Sequence, residues 1–244
     1  MPNKTMTAEE QKKLVSHYAL NDLVSRGVLR SGMKVGLGTG STMMPAIHVL
    51  AQLLAAGKLC EIKAVSTSFE TTIACEELGI PVYSLNSREI SGSLDLAIDG
   101  ADEIDPDNNL IKGGGAALLL EKIVAYNADQ FVILADESKA VPNLGTRFPL
   151  PVEVISEART SVTQQLIRLG ATAAVRYGVK KAGPVITDNG NIILDCLWPS
   201  DSKCNPKSLE GIINEIVGVV ENGFFTKLRP TVYLAHADGT VELR

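Results

Sequence analysis

Leu14, Val15, Tyr18, Ala19, Asp22 and Leu23 recur at near-helical spacing. Just ahead of them, Thr7-Ala8-Glu9-Glu10 has the form of a capping box, with the Thr hydroxyl accepting from the Glu10 backbone and the Glu carboxylate reaching back. Together they predict a helix that ends near Gly27. Met33 to Leu37 is a short apolar run that stops at glycines and reads as a buried strand. Thr42 to Ala56 reads as a helix, with Pro45 in its first turn, where a missing N–H does no harm. Ile62 to Val65 predicts a second strand. After Ser66-Thr67-Ser68 a helix runs through Leu78 and stops at Gly79. Pro81 to Tyr83, Leu94 to Ile98 and Phe131 to Ala135 read as further strands, the last two separated by a helix from Ala116 to Ala128.

Short apolar strands alternating with helices specify a parallel sheet covered on both faces. Beyond Phe148-Pro149-Leu150-Pro151 the texture changes. A strand (Val152 to Ile155), a helix (Ser161 to Leu169), a strand (Ala173 to Arg176), a turn at Asp188-Asn189-Gly190, a strand (Ile192 to Cys196), a helix (Ser208 to Val217) and a strand near Val219 follow. This β-α-β-β-α-β order suggests a small α+β ferredoxin-like domain. Thr231 to Ala235 and Thr240 to Leu243, joined by a turn at Asp238-Gly239, return to the first domain. The expected fold class is α/β: a Rossmann-like parallel-sheet domain built from 1–147 and 228–244, carrying an inserted ferredoxin-like domain over 148–227.

Composition narrows the function. The 244 residues are 45% apolar and 21% charged, enough to bury a core. A formal charge of -5 with no Lys/Arg block argues against nucleic acid as a partner. No apolar run approaches the ~18 to 20 residues a transmembrane helix needs, so no membrane partner is expected. Met1 to Glu10 lacks a basic start followed by an apolar stretch, and no Arg-rich amphipathic leader is seen. Cys60, Cys75, Cys196 and Cys204 lack CxxC spacing and read as reduced thiols of a cytoplasmic protein, not as zinc ligands. His17, His48 and His236 are scattered without metal spacing.

In an open parallel sheet the ligand site lies beyond the carboxyl ends of the strands. Chemistry is therefore sought in Gly38 to Thr42, Ser66 to Ser68, Asp99 to Glu103 and Asp136 to Lys139. In the first, Gly40 lets the backbone turn, a helix N-terminus adds partial positive charge, and Thr39, Ser41 and Thr42 add hydroxyls; the set suits a phosphate. An ordinary tight turn is the alternative. Ser41 stands where a dinucleotide fingerprint wants glycine and no lysine completes a Walker loop, so no nucleotide cofactor is expected. Asp99 and Asp102 bracket Gly100-Ala101, and paired acids there can bind sugar hydroxyls, move protons or hold Mg²⁺, or form a solvated acidic turn, as Asp105 and Asp107 do.

Lys112-Gly113-Gly114-Gly115 opens the helix that carries Glu121. Glycines admit close backbone approach, and Lys112 supplies charge for an anionic intermediate. Glu121, two turns in among apolar neighbours, would have its pKa raised by partial burial, as a base needs. The spacing is equally compatible with a surface glutamate beside Lys122. Lys139 is placed to reach a phosphate or sugar oxygen, or to be a solvated loop lysine.

These segments, in this order, resemble ribose-5-phosphate isomerase of the A type. The resemblance runs from Gly38-Thr39-Gly40-Ser41-Thr42 through Asp99-Gly100-Ala101-Asp102-Glu103, Lys112-Gly113-Gly114-Gly115-Ala116-Ala117, Glu121-Lys122 and Asp136-Glu137-Ser138-Lys139. It continues through Phe148 to Val154, Thr187 to Asn191 and Gly218 to Gly223, and so covers nearly the whole chain. DGADE followed nine residues later by KGGGAA is its most specific part. The family implies a homodimer or homotetramer, no cofactor and no metal, and a place in the non-oxidative pentose phosphate pathway. By position, Glu121 resembles the general base. Asp99, Asp102 and Lys112 resemble the residues that hold the sugar and steady the intermediate, and Thr39 to Thr42, the Gly100-Ala101 and Gly113-Gly114-Gly115 backbone and Lys139 resemble the other substrate-binding positions. One departure is Leu120, where many members carry a basic residue just before the glutamate.

Overall fold

The structure, a computed structural model, describes residues 5–199 and 205–244. In chain order its regular elements are α1 (Ala8–Ser25), β1 (Lys34–Leu37), α2 (Met43–Ala55), β2 (Lys63–Ser66), α3 (Phe69–Glu77), β3 (Leu94–Asp99), β4 (Glu103–Ile104), β5 (Leu110–Ile111), α4 (Leu118–Tyr126), β6 (Ala128–Asp136), β7 (Leu150–Val154), α5 (Arg159–Arg168), β8 (Thr172–Val175), β9 (Ile192–Leu197), α6 (Pro206–Asn214), β10 (Val219–Asn222), β11 (Phe224–Phe225), β12 (Thr231–Ala235) and β13 (Val241–Leu243). Two compact units result. One comprises the described part of Met1–Gly100 with Leu120–Lys139 and Pro230–Arg244; the other comprises Ala101–Leu119 and the described part of Ala140–Arg229.

The first unit is built on a six-stranded sheet of order β13-β12-β6-β3-β1-β2. All its neighbouring strands pair in parallel except β13, which runs antiparallel to β12. Leu37 stands opposite both Ser66 and Ile98, so the carboxyl ends of β1, β2 and β3 finish level. The loops that follow them therefore leave from one edge. Val15, Ala19 and Leu23 of α1 and Ile47 and Leu50 of α2 are buried in one apolar cluster with Val35, Leu37, Leu96, Ile98 and Leu134 of the sheet. The capping box forms as expected: the Thr7 hydroxyl accepts from Glu10 N at 3.2 Å and Glu10 Oε2 accepts from Thr7 N at 2.8 Å. Gly27 ends the turn after α1 at a φ of 68°.

The second unit holds the β-α-β-β-α-β run β7-α5-β8-β9-α6-β10. Its four strands lie in the order β10-β7-β9-β8, each pair antiparallel, the ferredoxin-like arrangement. Val152, Val154, Val162, Leu166, Leu194 and Ile213 fill its core. A three-stranded sheet of order β11-β5-β4 belongs to the same unit.

Four expectations change. Pro81 to Tyr83 is not a strand but a single bridge, Val82 to Ala64. The helix expected from Ala116 starts at Leu118, because Ala116 has a φ of 59°, outside the helical region. β6 begins three residues before Phe131, and the exposed Asp129 and Gln130 hide this start from an apolar pattern. α6 starts at Pro206, capped by Asn205, whose side chain accepts from Lys207 N and Ser208 N, and it ends at Asn214 instead of Val217. The two-residue strands β4, β5 and β11 are too short to show alternation and were not anticipated. Among the described residues, no helix is long and apolar enough to cross a membrane.

Candidate active site

In the first unit the chain leaves β1 through Gly38, whose N–H bonds Ile98 O at 2.9 Å. A Cβ at Gly38 would lie 1.9 Å from the carboxyl carbon of Asp99. Glycine is therefore needed here for room, and the room is taken by a carboxylate. Asp99 is 3% exposed. Its Oδ1 accepts from Gly100 N at 2.7 Å and from Thr39 N at 3.3 Å, so backbone amides hold the buried acid in place. Thr39 Oγ1 lies 2.8 Å from Thr67 Oγ1 and donates to Ser68 Oγ at 2.7 Å, while Thr71 Oγ1 donates to Gly38 O at 2.7 Å. The level strand ends thus gather four hydroxyls around the first turn.

Gly40 sits at a φ of 98° and its carbonyl accepts from Met43 N and Met44 N, closing the first turn of α2. Thr42 is buried at the N-cap, yet its side chain makes no capping bond; its carbonyl accepts from Ser16 Oγ at 3.1 Å. Gly100 packs against it, since a Cβ on Gly100 would stand 3.7 Å from Thr42 Cβ. Ser41 is exposed and borders a groove of about 790 Å³ along α1 and α2, where His17 and His48 also lie. No other predicted site residue lines that groove.

α4 carries Glu121. Val124, three residues on and hence on the same helix face, presses towards β1, where a Cβ on Gly36 would meet its Cγ1 at 2.3 Å. That glycine draws the helix down onto the sheet and takes Glu121 in with it: the glutamate is 4% exposed. Lys122 is 4% exposed as well, with its ammonium 5.8 Å from the centroid of the Tyr126 ring. The surface reading of this pair is overturned. Lys139 closes a short 3-10 turn after β6 and is half-buried. The turn is fixed by the buried Asp136, whose Oδ1 accepts from Ser138 N at 3.0 Å, and by Glu137 Oε2, which accepts from Ala237 N at 3.0 Å.

The second unit opens with Ala101 and the half-buried Asp102. Asp102 N bonds Ile111 O at 2.8 Å, and Asp102 Oδ2 accepts from Gly114 N at 2.7 Å. A Cβ at Gly114 would come within 2.6 Å of Asp102 Oδ1, so here too a glycine makes room for an acid. Lys112, 3% exposed, has its amide on Gly223 O at 2.9 Å and its ammonium 5.6 Å from the Phe225 ring centroid. Gly113 takes a φ of 103°, and Gly114 and Gly115 are exposed.

Sequence reasoning missed three contributors. Thr71 gave no signal beyond its place in α3. Glu103 is 1% exposed and its carboxylate accepts from three backbone amides, Gly145 N, Arg147 N and Phe148 N, which makes it an anchor for that loop. Arg176 donates to the carbonyls of Gly113 and Gly114 at 2.8 and 3.0 Å, from over 60 positions away in the chain. The acidic turn is also more than a solvated one: Asp105 is buried and accepts from Asp107 N, Asn109 N and Asn109 Nδ2, while Asp107 is exposed. Among the described residues no group of three or more His, Cys, Asp or Glu side chains could hold a metal ion. Burial pushes the Cys75 thiol up to about 11 and the Cys196 thiol up to about 12, so neither serves as a nucleophile near neutral pH. Cys204 lies outside the described residues.

A sequence pattern of ribose 5-phosphate isomerase A (phosphoriboisomerase A) matches residues 63–239. Ribose-5-phosphate isomerase A of Treponema denticola is 59% identical over 97% of this chain and 99% of that one. The chain belongs to the ribose 5-phosphate isomerase A family. Ribose-5-phosphate isomerase A of Treponema pallidum subsp. pallidum is 51% identical over 99% of this chain and 95% of its own. The solved ribose 5-phosphate isomerase A of Methanocaldococcus jannaschii, 40% identical, matches with a TM-score of 0.87 over 98% of this chain and 99% of that one. A solved D-ribose-5-phosphate isomerase in complex with phospho-erythronic acid, also 40% identical, matches with a TM-score of 0.90 over the same shares. The family expected from DGADE and KGGGAA, and the α/β fold expected from strand–helix alternation, are those of the ribose 5-phosphate isomerases A.

Proposed function

We propose that this chain interconverts D-ribose 5-phosphate and D-ribulose 5-phosphate, with Glu121 as the base. The observation that carries the reading is the burial of Glu121, 4% exposed, one helical turn into the element that follows the triple glycine. A carboxylate withdrawn from water is poor at being a surface charge and suited to taking a proton from carbon. The names of the relatives support the substrate. The phospho-erythronic acid bound by one solved relative supports the intermediate, because its planar carboxylate resembles an enediolate carrying a phosphate at the far end.

In the proposed step Glu121 takes the C2 proton of the open-chain aldose while O1 gains one, leaving an enediol(ate). Glu121 then returns its proton to C1 as the O2 hydroxyl loses one, and the ketose forms with the carboxylate regenerated. Lys112 supplies fixed positive charge for the O1/O2 anion. Asp99 and Asp102, each held by backbone amides, bind sugar hydroxyls and relay their protons. Thr39, Gly40, Ser41, Thr42, Gly100, Ala101, Gly113, Gly114, Gly115 and Lys139 bind the rest of the sugar phosphate. Free thiols at Cys60, Cys75 and Cys196 support a reducing, cytoplasmic setting, and we propose a homodimer or homotetramer there.

The test is incubation with ribose 5-phosphate in D₂O containing EDTA, followed by NMR. Ribulose 5-phosphate is expected, with solvent deuterium at C1 to the extent that the Glu121 carboxyl proton exchanges with D₂O before it is returned. No ketose would leave a binding protein in place of an enzyme, and turnover lost to EDTA would recast the aspartates as metal ligands.

A further inference from the structure

Arg176 follows β8 directly and is tied into the sheet by its amide, which bonds Ile193 O at 2.9 Å. Two residues earlier, Ala174 stands opposite Asp195 of β9, which puts Arg176 and Asp195 on one face of the sheet. There the guanidinium grips the carboxylate with two prongs, Nε to Oδ2 at 2.9 Å and Nη2 to Oδ1 at 2.5 Å. This leaves Nη1 aimed at the triple-glycine turn, where it donates to Gly113 O at 2.8 Å and Gly114 O at 3.0 Å. The Arg176 side chain is 14% exposed; its bonds to Asp195 and to Gly113 O are partly buried, and the one to Gly114 O is exposed.

The turn it grips has much freedom to lose. Three consecutive glycines have the largest conformational entropy a chain offers. Two positions here, Gly113 at φ 103° and Ala116 at φ 59°, sit in left-handed conformations, and Ala116 pays a steric cost for it. The Gly114 N–H must nonetheless stay on Asp102 Oδ2, and Lys112 is the residue next door. We propose that Arg176, oriented by Asp195, is a positioning residue: it fixes the two glycine carbonyls, and through them the Gly114 amide on Asp102 and the start of the Lys112 side chain. Its two carbonyl bonds and two carboxylate bonds use the planar fork of an arginine, which a lysine cannot reproduce. The inference rests on the reading of Asp102 and Lys112 as substrate residues.

The experiment compares wild type with Arg176→Met, Arg176→Lys and Asp195→Asn. Hydrogen exchange is followed across residues 110–117, and kinetics are measured with ribose 5-phosphate with and without added guanidinium ion. Faster exchange at Gly114 and Gly115 is expected in Arg176→Met, with kcat/KM lowered about 10- to 100-fold, the scale of a small misplacement of catalytic groups. The loss should fall mainly on kcat, guanidinium ion should restore part of it in Arg176→Met alone, and Arg176→Lys should remain impaired. Asp195→Asn keeps the arginine and should give a smaller loss of the same kind, so it reports even if Arg176→Met folds poorly. Unchanged exchange in the turn overturns the proposal, as does a lowered melting temperature with unaltered kcat and KM. If wild type itself made no ketose, the site reading would fail, while the exchange arm would still decide whether Arg176 restrains the turn.

Discussion

Asp99 and Asp102 each occupy space that a side chain would need at a glycine. Gly38 leaves room for the first and Gly114 for the second, so glycines that read from sequence as phosphate-loop or close-approach positions also serve as sockets for acids. An added methyl at Gly38 would overlap the Asp99 carboxyl group outright, and that group has backbone partners on its own side. Gly38→Ala is therefore expected to displace Asp99, to cost about 1 to 3 kcal/mol as overpacking does, and to lower kcat/KM well beyond what the stability loss explains. Thermal melting and steady-state kinetics on the same preparation check this. A Gly38→Ala protein with wild-type turnover would show that the position of Asp99 does not matter.

At the scale of elements, the chain's punctuation carries most of the information. Thr7 and Glu10 set the start of α1, and Gly27, Gly79 and Gly170, all at positive φ, stop the helices they follow. Thr7→Ala removes the side chain that caps α1 and is expected to cost about 1 kcal/mol, or about 2 to 4 °C in melting temperature for a chain of this size, with kcat unchanged. Calorimetry would detect that shift, and an unshifted melting curve would mean that the box forms without contributing. Where an element owed its form to distant partners, the sequence was silent. β4, β5 and β11 have two residues each and exist through pairing with one another. The strand expected at Pro81 shrinks to one bridge, and Pro81 itself has no amide to give a ladder. The site shows the same division. Asp99, Asp102, Lys112 and Glu121 stand out in the sequence as candidates because they cluster in two short motifs, but whether Glu121 is buried or exposed cannot be read there, since it depends on Gly36 accepting Val124. Arg176 was invisible because its glycine partners lie far away in the chain.

At the scale of the molecule, the sheet of the first unit brings its strand ends level, and in the second unit Asp102 and Arg176 both bond the backbone of Gly114. The proposed isomerisation needs one proton transfer, and Glu121 is the group proposed to perform it. The most direct test is kcat for Glu121→Gln, which keeps size and one acceptor oxygen but cannot take a proton. A fall of at least about 10²-fold with little change in KM is expected, in a protein that melts near the wild-type temperature. Turnover close to wild type would contradict the account, because the proton would then be leaving carbon by some other hand.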